Sequence, residues 1–390
     1  MVDSASDRQR IVFLDHLRGL ACLMVVFGHV YLMGINDPGG VSGWLPFVQG
    51  PIFGPDSPGF NPFNRVTTWM VLSAGISFGP MGVSVFFLIS GFIILRAVDH
   101  ESPGRFLVRR GFRIFPLSIV VAVGTGLYTA LLCWHEGVAS PHTLRSVFAS
   151  AFAVTGFIGA FSTIPVIWSL TIELFFYLMM AGVAALVPRI EVRHLALMAV
   201  ACAVLSTLTQ LAPLRERFSA ELIGAFMTLG YCAFHACYLL IGSALYRATQ
   251  ARFDAAGVKG VLLLGGIFGI DIAASMAYGD VANTGTTIQN ALVAFAIFVS
   301  AMLFGLRWRA IRWFTFFGDV SYPLYLLHIP GAWAVMFVLS RLGLGMHAAT
   351  ILALATCVAV AWVLHVTIEM PLHALGRSLT RGDPSPRRSP

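Results

Sequence analysis

Residues 11–33 read IVFLDHLRGLACLMVVFGHVYLM, an apolar stretch of membrane length that carries Asp15, His16, Arg18 and His29. Ionisable groups at membrane depth are costly unless they face a protein interior or a water-filled cavity. The stretch is therefore expected to be one helix of a bundle, with its polar residues turned inward. Arg18 and His29 are eleven residues apart, which at 3.6 residues per turn is three turns plus about 20°. They share a face, about 16 Å apart along the axis, with Asp15 one turn from Arg18.

Working outward, the rest of the chain repeats the pattern. Hydrophobic residues make up 57% and charged residues 11% of the 390, and apolar runs of about 20 residues recur, as expected of membrane-spanning helices. The fold class is all-α, a polytopic transmembrane helical bundle. The first stretch is not expected to be a cleaved leader, because Asp15, His16 and Arg18 interrupt its apolar region. All six cysteines (Cys22, Cys133, Cys202, Cys232, Cys237 and Cys357) fall inside apolar segments without metal-ligand spacing, so no disulfide framework and no metal site are expected. The net charge of +7 sits in short basic clusters between apolar segments. That distribution sets orientation and faces anionic lipid rather than nucleic acid.

Ten spans are expected, at 11–33, 78–96, 114–134, 168–188, 194–212, 223–246, 259–279, 287–306, 316–340 and 347–370, with both termini cytoplasmic. Residues 146–161 are short for a span and contain Gly156 and Gly159, so they read as re-entrant or interfacial. With this parity nineteen Lys and Arg fall inside and five outside, with Arg18 inside the first span, as the positive-inside tendency requires. The membrane-embedded domain is expected over 1–376. It includes a Gly/Pro-rich, aromatic external loop at 34–65, and a disordered cytoplasmic tail is expected at 377–390.

Within that frame, His29 near the outer end of the first span can be a general base, or a histidine bonded to a neighbouring carbonyl. Glu173, about five residues into the fourth span in WSLTIELFFY, is expected at a similar depth. There it would orient the imidazole and balance its charge. Arg110 and Arg113 are three residues apart at the start of the third span, close to Pro116. Guanidinium forks there suit phosphate as well as topology. Tyr322, Tyr325 and His328 recur at three-residue steps in SYPLYLLH and make a polar stripe. Asp271 and Glu369 are weaker candidates, as partners for an arginine. These residues leave two classes open: an enzyme passing an acyl or anionic group across the membrane plane, or a proton-coupled transporter with His29, Glu173, Asp271 and His328 as relays. No phosphate-binding glycine loop or Gly-x-Ser-x-Gly decides between them.

Six pieces in order resemble the acyltransferase-3 family of integral membrane acyltransferases, over roughly residues 13–371. They are FLDHLRGLACLMVVFGH with Arg18 and His29, GVSVFFLISGFII (82–94) with Ser90, the Arg110/Arg113 loop, WSLTIELFFY with Trp168 and Glu173, SYPLYLLH ending at His328, and Glu369-Met-Pro371. The resemblance implies transfer of an acyl group, usually acetyl, from cytoplasmic acyl-CoA to a hydroxyl of a glycan or other acceptor at the outer face of a bacterial inner membrane. Arg18, Arg110 and Arg113 would hold the nucleotide and phosphates of acetyl-CoA, and no metal is implied. His29 and Glu173 would be catalytic, with Asp15, Ser90, Trp168, Tyr322, Tyr325, His328 and Glu369 in support. His16 departs from the family pattern, which has a small residue there. The SGNH-type hydrolase domain fused to some members is absent, which leaves room for an extracytoplasmic partner protein, for direct action on a smaller acceptor, and for a homo-oligomer.

Overall fold

A computed structural model describes residues 3–33, 43–48, 69–70, 73–211, 219–278, 281–304 and 311–380. The expected external loop at 34–65 therefore lies outside the described residues except for 43–48, and so does the tail from 381 onward. Thirteen helices carry the described chain: α1 Asp3–Val26, α2 Phe78–His100, α3 Pro103–His135, α4 Leu144–Ala151, α5 Ile167–Leu186, α6 Val192–Gln210, α7 Ala220–Gln250, α8 Ala255–Tyr278, α9 Val281–Phe304, α10 Arg312–Asp319, α11 Ser321–Arg341, α12 Met346–Leu364 and α13 Met370–Leu379. Wider π-helical turns extend α1 over Phe27–Met33 and join α12 to α13 over His365–Glu369.

Nine helices among the described residues are long and apolar enough to cross a membrane, and Ile288–Phe304 in α9 is a shorter apolar helix. Over its described residues each of the ten apolar segments read from the sequence is mainly helical, the expected ninth span at 316–340 being divided at Val320 between α10 and α11. Residues 146–161 do not form a span. The eight-residue α4, capped by Thr143 Oγ1 accepting from the Ser146 N–H at 3.2 Å, gives way to turns from Phe152 to α5.

α2 sits at the centre, packed against α1, α5, α7 and α9. In lipid no solvent drives helices together, so bare backbones at the crossings supply the contact. A Cβ added at Gly91 of α2 would collide with the Leu239 carbonyl oxygen of α7, and one at Gly242 with that of Leu88. A bidentate ion pair, with Arg247 Nη2 2.7 Å from Asp99 Oδ1, ties one end of the same helix pair. Gly91→Ala is expected to force the two backbones apart at a cost of about 1–3 kcal/mol or more. The unfolding midpoint in detergent should fall clearly, and an unchanged midpoint would contradict this packing.

α1 docks on α10 in the same manner. Gly19 faces the Phe314 carbonyl and Gly318 faces that of Asp15. His16, where the resemblance leads one to expect a small residue, is buried and accepts the Ile311 N–H on Nε2 at 2.9 Å. The larger side chain therefore fixes the start of α10 against α1.

Candidate active site

Three helices build the centre of the site. α1 contributes Arg18 and His29, α5 the stripe Ser169, Glu173 and Tyr177 at four-residue steps, and α11 the stripe Tyr322, Tyr325 and His328. Four-residue and three-residue steps place side chains one above another on one helix face, so these stripes are ladders. They face each other across a cavity.

The cavity encloses about 770 Å³ of unfilled space, part of it open to the outside, and is lined by Arg18, Ser90, Arg110, Arg113, Ser169, Glu173, Tyr322 and Tyr325 among others. One end is basic. Arg18 pairs with Asp15 at 3.7 Å, and Arg110 lies over the rings of Phe106 at 5.3 Å and Tyr177 at 5.7 Å. A buried guanidinium nitrogen, Nε of Arg110, stands unpaired there. Glu369, bonded to His365 at 2.8 Å, lies within electrostatic reach of Arg113. Tyr322 donates to the Ile114 carbonyl at 2.7 Å, fixing α11 to α3 at this level.

Glu173 belongs to this basic end. Its Oε1 accepts from Tyr177 at 2.6 Å and from Ser90 at 3.2 Å, and it lies within electrostatic reach of Arg18 and Arg113. The expected pairing of Glu173 with His29 is therefore replaced. His29 Nδ1 lies 2.9 Å from His328 Nε2, the two rings stacked at 5.1 Å and 27°. The expectation rests on similar depth, and the two do not share a level: Ser90 and Tyr177 hold Glu173 at the arginine end, whereas His29, on the π-helical extension of α1, meets α11.

The hydrogen bonds assign the tautomers. His328 Nδ1 is 2.7 Å from the Tyr325 carbonyl oxygen, an acceptor only, so Nδ1 carries the proton. In the neutral ring His328 Nε2 is then a lone pair and accepts from His29 Nδ1–H. That leaves His29 Nε2 unprotonated and free to act as a base.

This nitrogen faces the first turn of α2, where a Cβ added at Gly79 would lie 3.1 Å from it. The turn is fixed by buried Asn290, which accepts the Ser77 N–H at 2.8 Å and donates to the Gly75 carbonyl at 3.2 Å. Gly75 has φ +61°, a conformation only glycine adopts without cost. Between the basic end and the histidines, Ser169 Oγ and Tyr325 OH are hydrogen-bonded at 2.7 Å.

Other expected site residues lie elsewhere. Trp168 packs among Phe87, Tyr231 and His235, and Asp271 is buried beside Ser206 and Cys237 in the packing of α6, α7 and α8. Asp271 does not line the cavity that holds Glu173, so the four expected relay residues are not brought together. Ser169 and Tyr177 escaped the sequence reading, although each is one turn from Glu173. No group of three His, Cys, Asp or Glu among the described residues is arranged to hold a metal.

The chain is 28% identical over 323 residues to the exopolysaccharide production protein ExoZ of Rhizobium meliloti, covering 77% of this chain and 91% of that protein. It is 32% identical over 127 residues to nodulation protein 10 of Rhizobium leguminosarum bv. viciae, covering 28% of this chain but only 34% of that protein. No solved structure matches. The acyltransferase-domain profile of the acyltransferase-3 family matches residues 11–366, from the first apolar helix to the π turn that bears Glu369, and this multi-pass membrane protein belongs to that family.

Proposed function

We propose that the protein transfers an acyl group, acetyl in the first instance, from cytoplasmic acyl-CoA to a hydroxyl of a glycan at the outer face of a bacterial inner membrane. The observation that carries this reading is the His29–His328 pair, with Nε2 of His29 free, set beyond one end of a cavity whose other end holds Arg18, Arg110 and Arg113. The basic end is assigned to the cytoplasm by the charge distribution of the loops. The guanidinium groups there, with Arg110 Nε unpaired, fit phosphate. The relative named for exopolysaccharide production favours a glycan acceptor.

On this reading the donor supplies the activated thioester carbonyl, and the protein's residues do the rest. Arg18, Arg110 and Arg113 bind its phosphates. Glu173 offsets their charge when the site is empty. Tyr325 and Ser169 part to open the way from cavity to histidines. His29 Nε2 takes the acceptor hydroxyl proton as that oxygen forms the new C–O bond, the C–S bond breaks, and the thiolate takes the same proton from His29 Nε2 and leaves as the thiol, which restores the neutral imidazole. His328 holds the His29 ring in the required tautomer.

Membrane vesicles carrying the protein and its native polysaccharide, supplied with acetyl-labelled acetyl-CoA on the cytoplasmic side, test the proposal. Label should appear as ester-linked acetyl on the polysaccharide. Its absence would overturn the reading. Label retained on the protein without acceptor would replace direct transfer by an acyl-histidine route.

A further inference from the structure

Three segments separated in sequence bring their rings together beyond the histidine end. Trp44 and His142 have centroids 5.3 Å apart, Trp44 and Phe161 5.0 Å, and His142 and Phe161 5.5 Å. The cluster is anchored from beneath. Leu45 and Val48 are in the core, and Phe47 packs on Phe337 at 4.9 Å. Phe337 is nine residues beyond His328 on α11, about 13 Å along the axis.

His142 is the anomaly. Both ring nitrogens are buried and neither has a hydrogen-bond partner. An imidazole always presents a donor, an acceptor or both, and buried polar atoms in folded proteins are overwhelmingly paired. A phenylalanine would pack between Trp44 and Phe161 without that cost. The His142 backbone N–H, by contrast, is paired, donating to Ser140 Oγ at 3.2 Å. Burial pushes the imidazole down to about 4. The ring is therefore uncharged near neutral pH and suited to an uncharged hydroxyl.

We infer that Trp44, His142 and Phe161 form an acceptor subsite for a neutral sugar unit, which rests on the glycan reading above. The sugar's C–H face stacks on the Trp44 ring, an apolar surface with a polar edge, and one of its hydroxyls pairs with a His142 nitrogen. Binding turns the Trp44 side chain off His142, while Leu45 and Val48 hold its backbone in place. The unpaired nitrogens of the free protein are thus satisfied in the complex, and the bound sugar lies on the histidine side of the cavity.

His142→Phe separates this from a packing role. A ring of similar size keeps the cluster and removes two unpaired nitrogens, so a structural role alone predicts a raised unfolding midpoint with full transfer. The subsite predicts an unchanged or raised midpoint and at least about tenfold less acetyl transfer to the polysaccharide in the vesicle assay. Equilibrium binding of acetyl-CoA should be unchanged. Full transfer by His142→Phe, or a parallel loss of acetyl-CoA binding, would overturn the inference.

Should that variant fail to fold, Trp44→Phe and Trp44→Ala serve in its place, with transfer expected to fall in that order. Equal transfer by both and the parent would again overturn it. Wild-type protein that transfers no label at all would refute the glycan reading, not this one. The subsite is then judged by calorimetric titration with deacetylated fragments of the same polysaccharide. Binding by the parent and not by His142→Phe supports it, and equal or absent binding overturns it.

Discussion

His29→Gln is expected to lower turnover by about 10²–10⁴-fold, the usual contribution of a positioned general base. Acetyl-CoA affinity should stay within about twofold. Nε2 of His29 is the unprotonated nitrogen of the pair, and glutamine offers no base there. The cavity that holds Arg18, Arg110 and Arg113 does not include His29 among its lining residues, so donor binding is spared. His328→Ala should cost less, because the His29 ring remains but loses the partner that fixes its tautomer. Single-turnover rates and equilibrium donor binding on the same preparations check this. Full turnover by His29→Gln would remove the histidine from the chemistry.

Arg113→Ala is expected to do the reverse, weakening acetyl-CoA binding by about 2–5 kcal/mol, roughly 30-fold or more in Kd. Turnover at saturating donor should change little. Arg113 lines the cavity with Arg18 and Arg110 and lies within reach of Glu173 and Glu369. Its removal takes a phosphate fork away and leaves two carboxylates facing the donor with one positive charge fewer. Arg113→Lys keeps the charge and loses the fork, so it should fall between. Binding of labelled acetyl-CoA in detergent measures this directly, and unchanged affinity in Arg113→Ala would remove the arginines from the donor site.

The sequence made some of this legible and not the rest. Apolar length alone located the helices, because in lipid a spanning segment must satisfy its own backbone. Arg18, His29 and His328 stood out because ionisable groups are rare at that depth. The partner of His29 did not stand out. His29 and His328 are 299 residues apart, and the similar depth expected for Glu173 offered His29 a different partner. Glu173 itself sits at the arginine end because Ser90 and Tyr177 hold it there. Tyr177 could have been found from its four-residue spacing; the resemblance names Ser90 in support, but its bond to Glu173 depends on how α2 packs against α5. The Trp44, His142 and Phe161 cluster was illegible for a similar reason, since each residue comes from a different connecting segment.

The hydrogen-bond chain that starts at His29 ends, after His328, on the carbonyl oxygen of Tyr325. A peptide carbonyl can accept a hydrogen bond but has no proton of its own to hand on. A base embedded in an energised membrane risks becoming a wire for the proton-motive force, and here the wire is cut after two imidazoles. On the proposed mechanism the proton that His29 takes up cannot pass beyond His328, so it returns through His29 itself to the departing thiolate, and this pair offers no continuous proton path of its own across the bilayer.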